Sequence, residues 1–64
     1  MKRYTLEIIA IDSGGRIKHH ESDNVSYIKE IYRFFFFTDD KPNAHMNKYK
    51  CIITDNVIKQ SVEM

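Results

Sequence analysis

The sequence predicts a small two-layer α+β domain, in which one amphipathic helix packs on one face of an antiparallel sheet. Residues 24–37 are the one stretch that combines length with helical periodicity. Segments rich in β-forming residues lie on both sides of it, and turn-forming residues divide each side into a pair of strands. We therefore expect a β-β-α-β-β order and a single domain over residues 1–64.

The first hairpin is predicted over residues 4–21. Residues 4–11 alternate, with Tyr4, Leu6, Ile8 and Ala10 on one face. Their second face is polar at the start and apolar at the end, which favours a central strand whose far end is covered on both sides. Residues 12–15 include the two glycines of the chain and predict the turn. Residues 16–21 are mostly polar and predict an exposed edge strand.

The helix is predicted to start at a cap among residues 22–24, each of which is a favourable N-cap type. At about 100° per residue, the apolar side chains fall within an arc of roughly 140°. They are Val25, Ile28, Ile31, Tyr32, Phe35 and Phe36. Of these, Phe35 and Phe36 are expected to serve only the core.

The end of the helix is less well determined, because four consecutive phenylalanines at 34–37 also favour a strand. The unbroken apolar spacing up to Phe35 favours the helix. Residues 38–48 contain Pro42 and two aspartates that oppose the helix dipole, so they are predicted to form a loop.

The second hairpin is predicted from residues 48–54 and 57–62. Tyr49, Cys51 and Ile53 share one face of its first strand. Asp55 and Asn56 both tolerate positive φ, which favours a two-residue turn between the strands.

Length and composition exclude several classes of protein. A chain of 64 residues buries only about 60% of its unfolded surface, so we expect it to need further stabilisation. One cysteine cannot form an intramolecular disulfide or a cysteine-rich zinc site. The chain shows neither an export signal nor a membrane-spanning stretch, so we expect a cytoplasmic protein with a reduced thiol, no membrane association and no cofactor.

The aromatic side chains exceed what one sheet face can cover. Helical geometry places Tyr27 and Phe34 just beyond the apolar arc, and Phe37, if still helical, on the polar face. Because aromatic residues dominate the cores of protein interfaces and charged residues form their rims, we expect a surface for another protein or for a second copy in a homodimer. Its predicted residues are Tyr27, Phe34 and Phe37, with Lys29, Glu30 and Arg33 as the rim.

The edge strands offer a second route to association. The polar second strand, or the final strand at residues 57–62, could extend the sheet of a partner or pair with its own copy.

Nucleic-acid binding is the first alternative function. Arg16, Lys18, His19 and His20 could form a basic margin on the first hairpin. However, the net charge is only +1, and acidic residues lie close to the same hairpin.

A small ribonuclease is the second alternative, with His19, His20 and His45 as its candidate residues. We predict neither a catalytic nor a metal site. Adjacent histidines on a strand, such as His19 and His20, point to opposite faces and cannot bind one metal ion together. The simpler interpretation of Asp39, Asp40 and His45 is an exposed acidic loop. Cys51 is predicted to be a buried core thiol without a group that would activate it.

No motif assigns the chain to a family. In length, in strand-helix order and in its lack of catalytic residues, it resembles the small inhibitors that bacteriophages and other mobile elements direct at host proteins. This resemblance implies a non-enzymatic protein-binding module that regulates or inhibits its partner.

Overall fold

The computed structural model describes residues 2–64, and it has the predicted α+β fold. The elements are β1 (Tyr4–Ala10), β2 (Arg16–Ser22), α1 (Val25–Phe36), β3 (Phe37–Thr38), β4 (Lys41–Pro42), β5 (Tyr49–Asp55) and β6 (Gln60–Glu63). Four antiparallel strands form one sheet in the order β2-β1-β5-β6, and one helix, α1, packs on one of its faces. A separate two-stranded hairpin, β3-β4, follows the helix. The sheet order places the first strand in the centre and the polar second strand at an edge, as predicted.

The first hairpin joins β1 (Tyr4–Ala10) to β2 (Arg16–Ser22). Its turn contains Gly14 at φ +72°, a conformation that L side chains rarely adopt. The Gly14 N–H donates to the carbonyl of Ala10 at 2.8 Å, and the Ala10 N–H donates to Gly15 at 2.9 Å. A bulge between Ile8 and Ile9 shifts the register as the strand enters this turn.

The core lies where the two central strands face the helix. In the β1–β5 pairing, Leu6 is opposite Ile53 and Ile8 is opposite Cys51. The fully buried side chains of the described residues are those of Leu6, Ile8, Ile28, Phe36 and Cys51. Cys51 therefore has the predicted core position, and its thiol is free.

Helix α1 covers Val25–Phe36, and its N-cap is Asn24. The Asn24 side-chain oxygen accepts from the N–H of Ser26 at 2.9 Å and of Tyr27 at 3.4 Å, which satisfies two of the unpaired donors of the first turn. Asp23, another predicted cap candidate, instead accepts from the Arg3 N–H at 2.8 Å.

The structure resolves the end of the helix, which the sequence left open at residues 34–37. The helix continues through Phe36, and Phe37 has extended backbone angles, φ −126° and ψ 143°. The reason lies in the following segment, where Asn43 donates from its backbone N–H to the Phe36 carbonyl at 2.8 Å and from its side chain to the Phe35 carbonyl at 3.1 Å. These bonds satisfy carbonyls that a continuing helix would otherwise use.

Residues 38–48 were predicted to form a loop, but most of them belong to a short hairpin and a 3-10 helix. Phe37–Thr38 forms β3 and pairs with Lys41–Pro42, which forms β4. A short 3-10 helix follows over Ala44–Asn47. Asp39 and Asp40 close the hairpin with φ of 51° and 62°, and the pattern was missed because Pro42 was read only as a breaker.

The second hairpin joins β5 (Tyr49–Asp55) to β6 (Gln60–Glu63). Its turn spans residues 56–59, so the predicted two-residue turn and the strand start at Val57 were wrong. The Asp55 side chain accepts from the N–H of Val57 at 3.0 Å and of Ile58 at 3.4 Å, and Lys59 takes φ 57°. These side-chain bonds support a longer turn and leave Val57 and Ile58 exposed.

The far end of β1 is not covered on both sides as expected. Ile9 pairs with Lys50 on the sheet face that lies opposite the helix, and Ile11, just beyond the strand, is exposed. Within residues 2–64, no helix is long and apolar enough to cross a membrane.

Candidate functional site

An exposed aromatic ridge runs along α1 and distinguishes this helix from an ordinary core helix. Phe34 is 87% exposed and Tyr27 is 48% exposed. The two lie seven residues apart, so they fall on nearly the same side of the helix. We call these two residues the Phe34 ridge. Phe36, only two positions from Phe34, is 1% exposed, so the helix separates a core face from a solvent-facing apolar line.

A groove of about 380 Å³ lies on one side of Phe34. We call it the acidic groove, because three carboxylates line it. Among residues 2–64, Arg33 is the single cation that lines it. The Arg33 guanidinium lies 3.2 Å from Asp40 Oδ1. Its lining residues are Glu30, Arg33, Phe34, Phe37, Asp39 and Asp40.

The β3-β4 hairpin positions the two aspartates of the acidic groove. Thr38 pairs with Lys41, so Asp39 and Asp40 form the two-residue connection. Positive φ at both residues is the conformation of a tight primed hairpin turn, and aspartate tolerates it better than most side chains do. The turn therefore holds the carboxylates beside the last turn of α1.

The other side of Phe34 borders a second groove, of about 240 Å³. We call it the basic groove, since Lys18 and His20 of β2 form its outer wall. Ile31, Phe34 and Phe35 of the helix complete it. Phe34 lines both grooves and therefore separates them.

The structure brings most of the predicted partner-binding residues together. Glu30, Arg33, Phe34 and Phe37 line one groove, and Tyr27 continues the ridge. Lys29 is exposed but lines neither groove.

Phe37 occupies a different environment from the one predicted. It is partly buried, and its ring centroid lies 5.9 Å from that of Tyr32 in an edge-on contact. Because the chain is extended at this residue, the side chain packs beside the core instead of projecting from the polar face of a helix.

The sequence did not indicate Asp39, Asp40 and Lys18 as parts of this surface. The available signal for the β3-β4 hairpin was the pair of aspartates at 39–40, since aspartate tolerates positive φ and the residues on either side can pair as strands. Lys18 was assigned to a nucleic-acid margin, and its place beside the helix follows only from the β1–β2 register, in which it lies opposite the buried Ile8.

The predicted nucleic-acid residues are divided between the two faces of the sheet. Lys18 and His20 lie on the helix side, while Arg16 and His19 lie on the opposite face. Arg16 Nη1 is 3.0 Å from Glu7 Oε2 and 3.4 Å from His19 Nδ1. The basic margin is thus split, and its arginine is paired with a carboxylate.

The residues considered for metal binding or catalysis are also separated. His19 and His20 point to opposite faces, and His45 lies on the 3-10 helix, where its Nδ1 is 2.9 Å from the Phe35 carbonyl oxygen. The His45 ring also stacks on Phe35, with centroids 4.4 Å apart. Across residues 2–64, no group of three or more His, Cys, Asp or Glu side chains is placed to hold a metal ion.

His45 therefore contributes to the helix terminus. A carbonyl oxygen can only accept a hydrogen bond, so His45 Nδ1 is the donor and carries a proton. Together with Asn43, His45 satisfies the Phe35 carbonyl and fixes the 3-10 helix against the end of α1.

The Cys51 thiol is unreactive in the folded protein. Burial raises the pKa of its thiol to about 11, because the core disfavours the charged thiolate. The side chain lies among the buried residues of the core.

Comparison with known proteins finds no family model, no curated protein and no solved structure that matches this chain.

Proposed function

We propose that this protein is a non-enzymatic protein-binding module, and that its docking surface consists of the Phe34 ridge and the two grooves beside it. The observation that carries the proposal is the 87% exposure of Phe34 between two concave, charged surfaces. A phenylalanine placed in this way contributes nothing to the core of its own domain, so its apolar surface favours burial against a partner.

The surroundings of Phe34 support a protein partner. A central aromatic anchor with charged groups at the margin is the usual anatomy of a protein interface. The charged groups around the Phe34 ring are those of Arg33, Glu30 and Lys18. An apolar floor on one side is formed by Phe35 and Ile31. The arrangement offers a partner both a pocket to fill and a side chain to bury.

A module of this kind acts through the association that its docking surface makes, with another protein or with its own copy, and the role that we propose for it is that of a regulator or inhibitor. The resemblance in length and strand-helix order to the small inhibitors of bacteriophages and mobile elements supports this role. The division of Arg16, Lys18, His19 and His20 between two sheet faces weighs against the nucleic-acid alternative.

Photo-crosslinking in the cells that produce the protein tests the docking surface. A benzophenone analogue of phenylalanine replaces Phe34 in one variant and Val57, which is 65% exposed, in the control variant. We expect irradiation to give a discrete protein adduct from position 34 that is absent from position 57. No adduct from position 34, or the same adducts from both positions, would contradict the proposed function.

A further inference from the structure

The two grooves beside Phe34 carry opposite charges. Glu30, Asp39 and Asp40 line the acidic groove, and Arg33 pairs with Asp40, which leaves two carboxylates without a cation among the lining residues. Of the described residues, Lys18 and His20 are the titratable ones that line the basic groove, and none of them brings a carboxylate to it. The charge therefore changes sign across the Phe34 ridge.

Helical geometry makes this division a line parallel to the axis of α1. At about 100° per residue, Glu30 and Arg33 lie on one side of Phe34, and Ile31 and Phe35 lie on the other. Tyr27, seven residues before Phe34, lies on the same line. The surface is consequently organised as an acidic strip, an aromatic ridge and a basic strip.

A surface organised in this way is complementary to itself. In a two-fold symmetric interface, the same patch faces its own copy and must match it. A two-fold axis that lies in the interface along the ridge places the acidic groove of one molecule on the basic groove of the other. A two-fold axis across the ridge would instead place acidic on acidic and basic on basic, which is unfavourable.

We propose, building on the proposed function, that the occupant of this docking surface is a second copy of the chain. The two copies of α1 run parallel in the resulting homodimer, with Phe34 against Phe34 and Lys18 facing Glu30 of the second copy. Self-association also suits the small core, since only five side chains of the described residues are fully buried.

The test uses two charge-reversed variants, Lys18→Glu and Glu30→Lys. In a homodimer of either variant, both symmetric contacts become like-charge pairs. In a mixture, the heterodimer regains two attractive pairs. The introduced glutamate of one molecule faces the introduced lysine of the other, and the native Glu30 of the first faces the native Lys18 of the second. Exposed Lys48, which lines neither groove, supplies the control Lys48→Glu.

Sedimentation analysis of a dilution series gives the result. We expect the wild-type protein and Lys48→Glu to dimerise, each of the two groove variants to dimerise about tenfold or more weakly at low salt, and their equimolar mixture to form a heterodimer. Circular dichroism confirms that the variants are folded.

Any of three results would overturn the second copy as occupant. They are a wild-type protein that stays monomeric at the highest concentration, a dimer that neither groove variant weakens, and two weakened variants that do not rescue each other. The photo-crosslinking experiment tests the proposed function separately. An adduct between position 34 and a different protein would support the docking surface even if the second copy were ruled out as its occupant.

Discussion

Phe34 and Phe36 show how two identical side chains on one helix acquire opposite roles. A displacement of two residues rotates the side chain by about 200°, so Phe36 enters the core while Phe34 faces solvent. This difference could be predicted from periodicity alone, and it placed Phe34 outside the apolar arc. The position of Phe37 could not be predicted in the same way, because it depends on bonds made by Asn43, six residues later.

At the scale of single residues, Cys51 gives a direct test of the core. Alkylation requires an accessible thiolate, and burial both encloses this thiol and raises its pKa to about 11. We expect iodoacetamide to modify native Cys51 roughly 100-fold or more slowly than the urea-unfolded chain. Mass spectrometry at successive times measures both rates.

The matched control for Cys51 places a thiol at an exposed position. Val57→Cys in a Cys51→Ala background should react in the native protein at nearly the rate of the unfolded chain, because Val57 lies in the exposed turn. Native Cys51 reacting as fast as this control would show that the core is open.

At the scale of elements, the predictions succeeded where the local pattern and the tertiary contacts agree. The alternation of residues 4–10 and the glycines of the first turn identified the β1-β2 hairpin. The β5-β6 turn was predicted one residue too early and two residues too short, because the Asp55 side chain accepts hydrogen bonds from two backbone N–H groups and the turn is longer. The residue preferences that predict turns do not predict side-chain hydrogen bonds of this kind.

The β3-β4 hairpin offers a test at the same scale. Asp40 has φ 62°, a conformation that costs a residue with a Cβ more than it costs glycine. Asp40→Gly and Asp40→Ala both remove the pair with Arg33, so the difference between them isolates the backbone. We expect the glycine variant to be more stable by about 1 kcal/mol.

Urea denaturation followed by circular dichroism measures this difference. Lys59→Gly and Lys59→Ala form a parallel pair, since Lys59 has φ 57° in the β5-β6 turn. Equal stability of the alanine and glycine variants at residue 40 would mean that the turn does not hold positive φ in solution.

At the scale of the whole molecule, the N-terminal segment ties two distant turns together. The Arg3 N–H donates to Asp23 at 2.8 Å, and the Arg3 guanidinium lies 3.1 Å from Asp55 Oδ2. Asn56 donates from its side chain to the Lys2 carbonyl at 3.0 Å and from its backbone to the Arg3 carbonyl at 2.6 Å. Residues separated by about 50 positions in the sequence thus meet beside the start of β1, and no local pattern predicts such a contact.

The candidate site likewise combines residues that a local pattern predicts with residues that only long-range contacts bring together. The helical residues of the docking surface follow from the periodicity of α1, because each depends only on its angle around one axis. Lys18, Asp39 and Asp40 join them through the β1–β2 register and the β3-β4 hairpin. The opposite charges of the two grooves are therefore a property of the fold, which periodicity does not reveal.

The N-terminal connection makes stability depend on pH. The Arg3 guanidinium lowers the pKa of the Asp55 carboxyl, and the bond from the Arg3 N–H lowers that of Asp23. A carboxyl with a lowered folded-state pKa binds fewer protons folded than unfolded, so its contribution is complete above the unfolded pKa and is lost as the pH falls through the folded one. We therefore expect the urea midpoint to be level from neutral pH to mildly acidic pH and to fall below about pH 4.

The variant Asp55→Asn separates this effect from general acid unfolding. Asparagine keeps an oxygen acceptor for the Val57 and Ile58 N–H groups but loses the charge that pairs with Arg3. The stability gap between wild-type protein and Asp55→Asn should be present at pH 7 and should narrow in strong acid, where Asp55 is protonated. A gap of constant size at every pH, or no gap at pH 7, would mean that the ionised Asp55–Arg3 pair does not stabilise the fold.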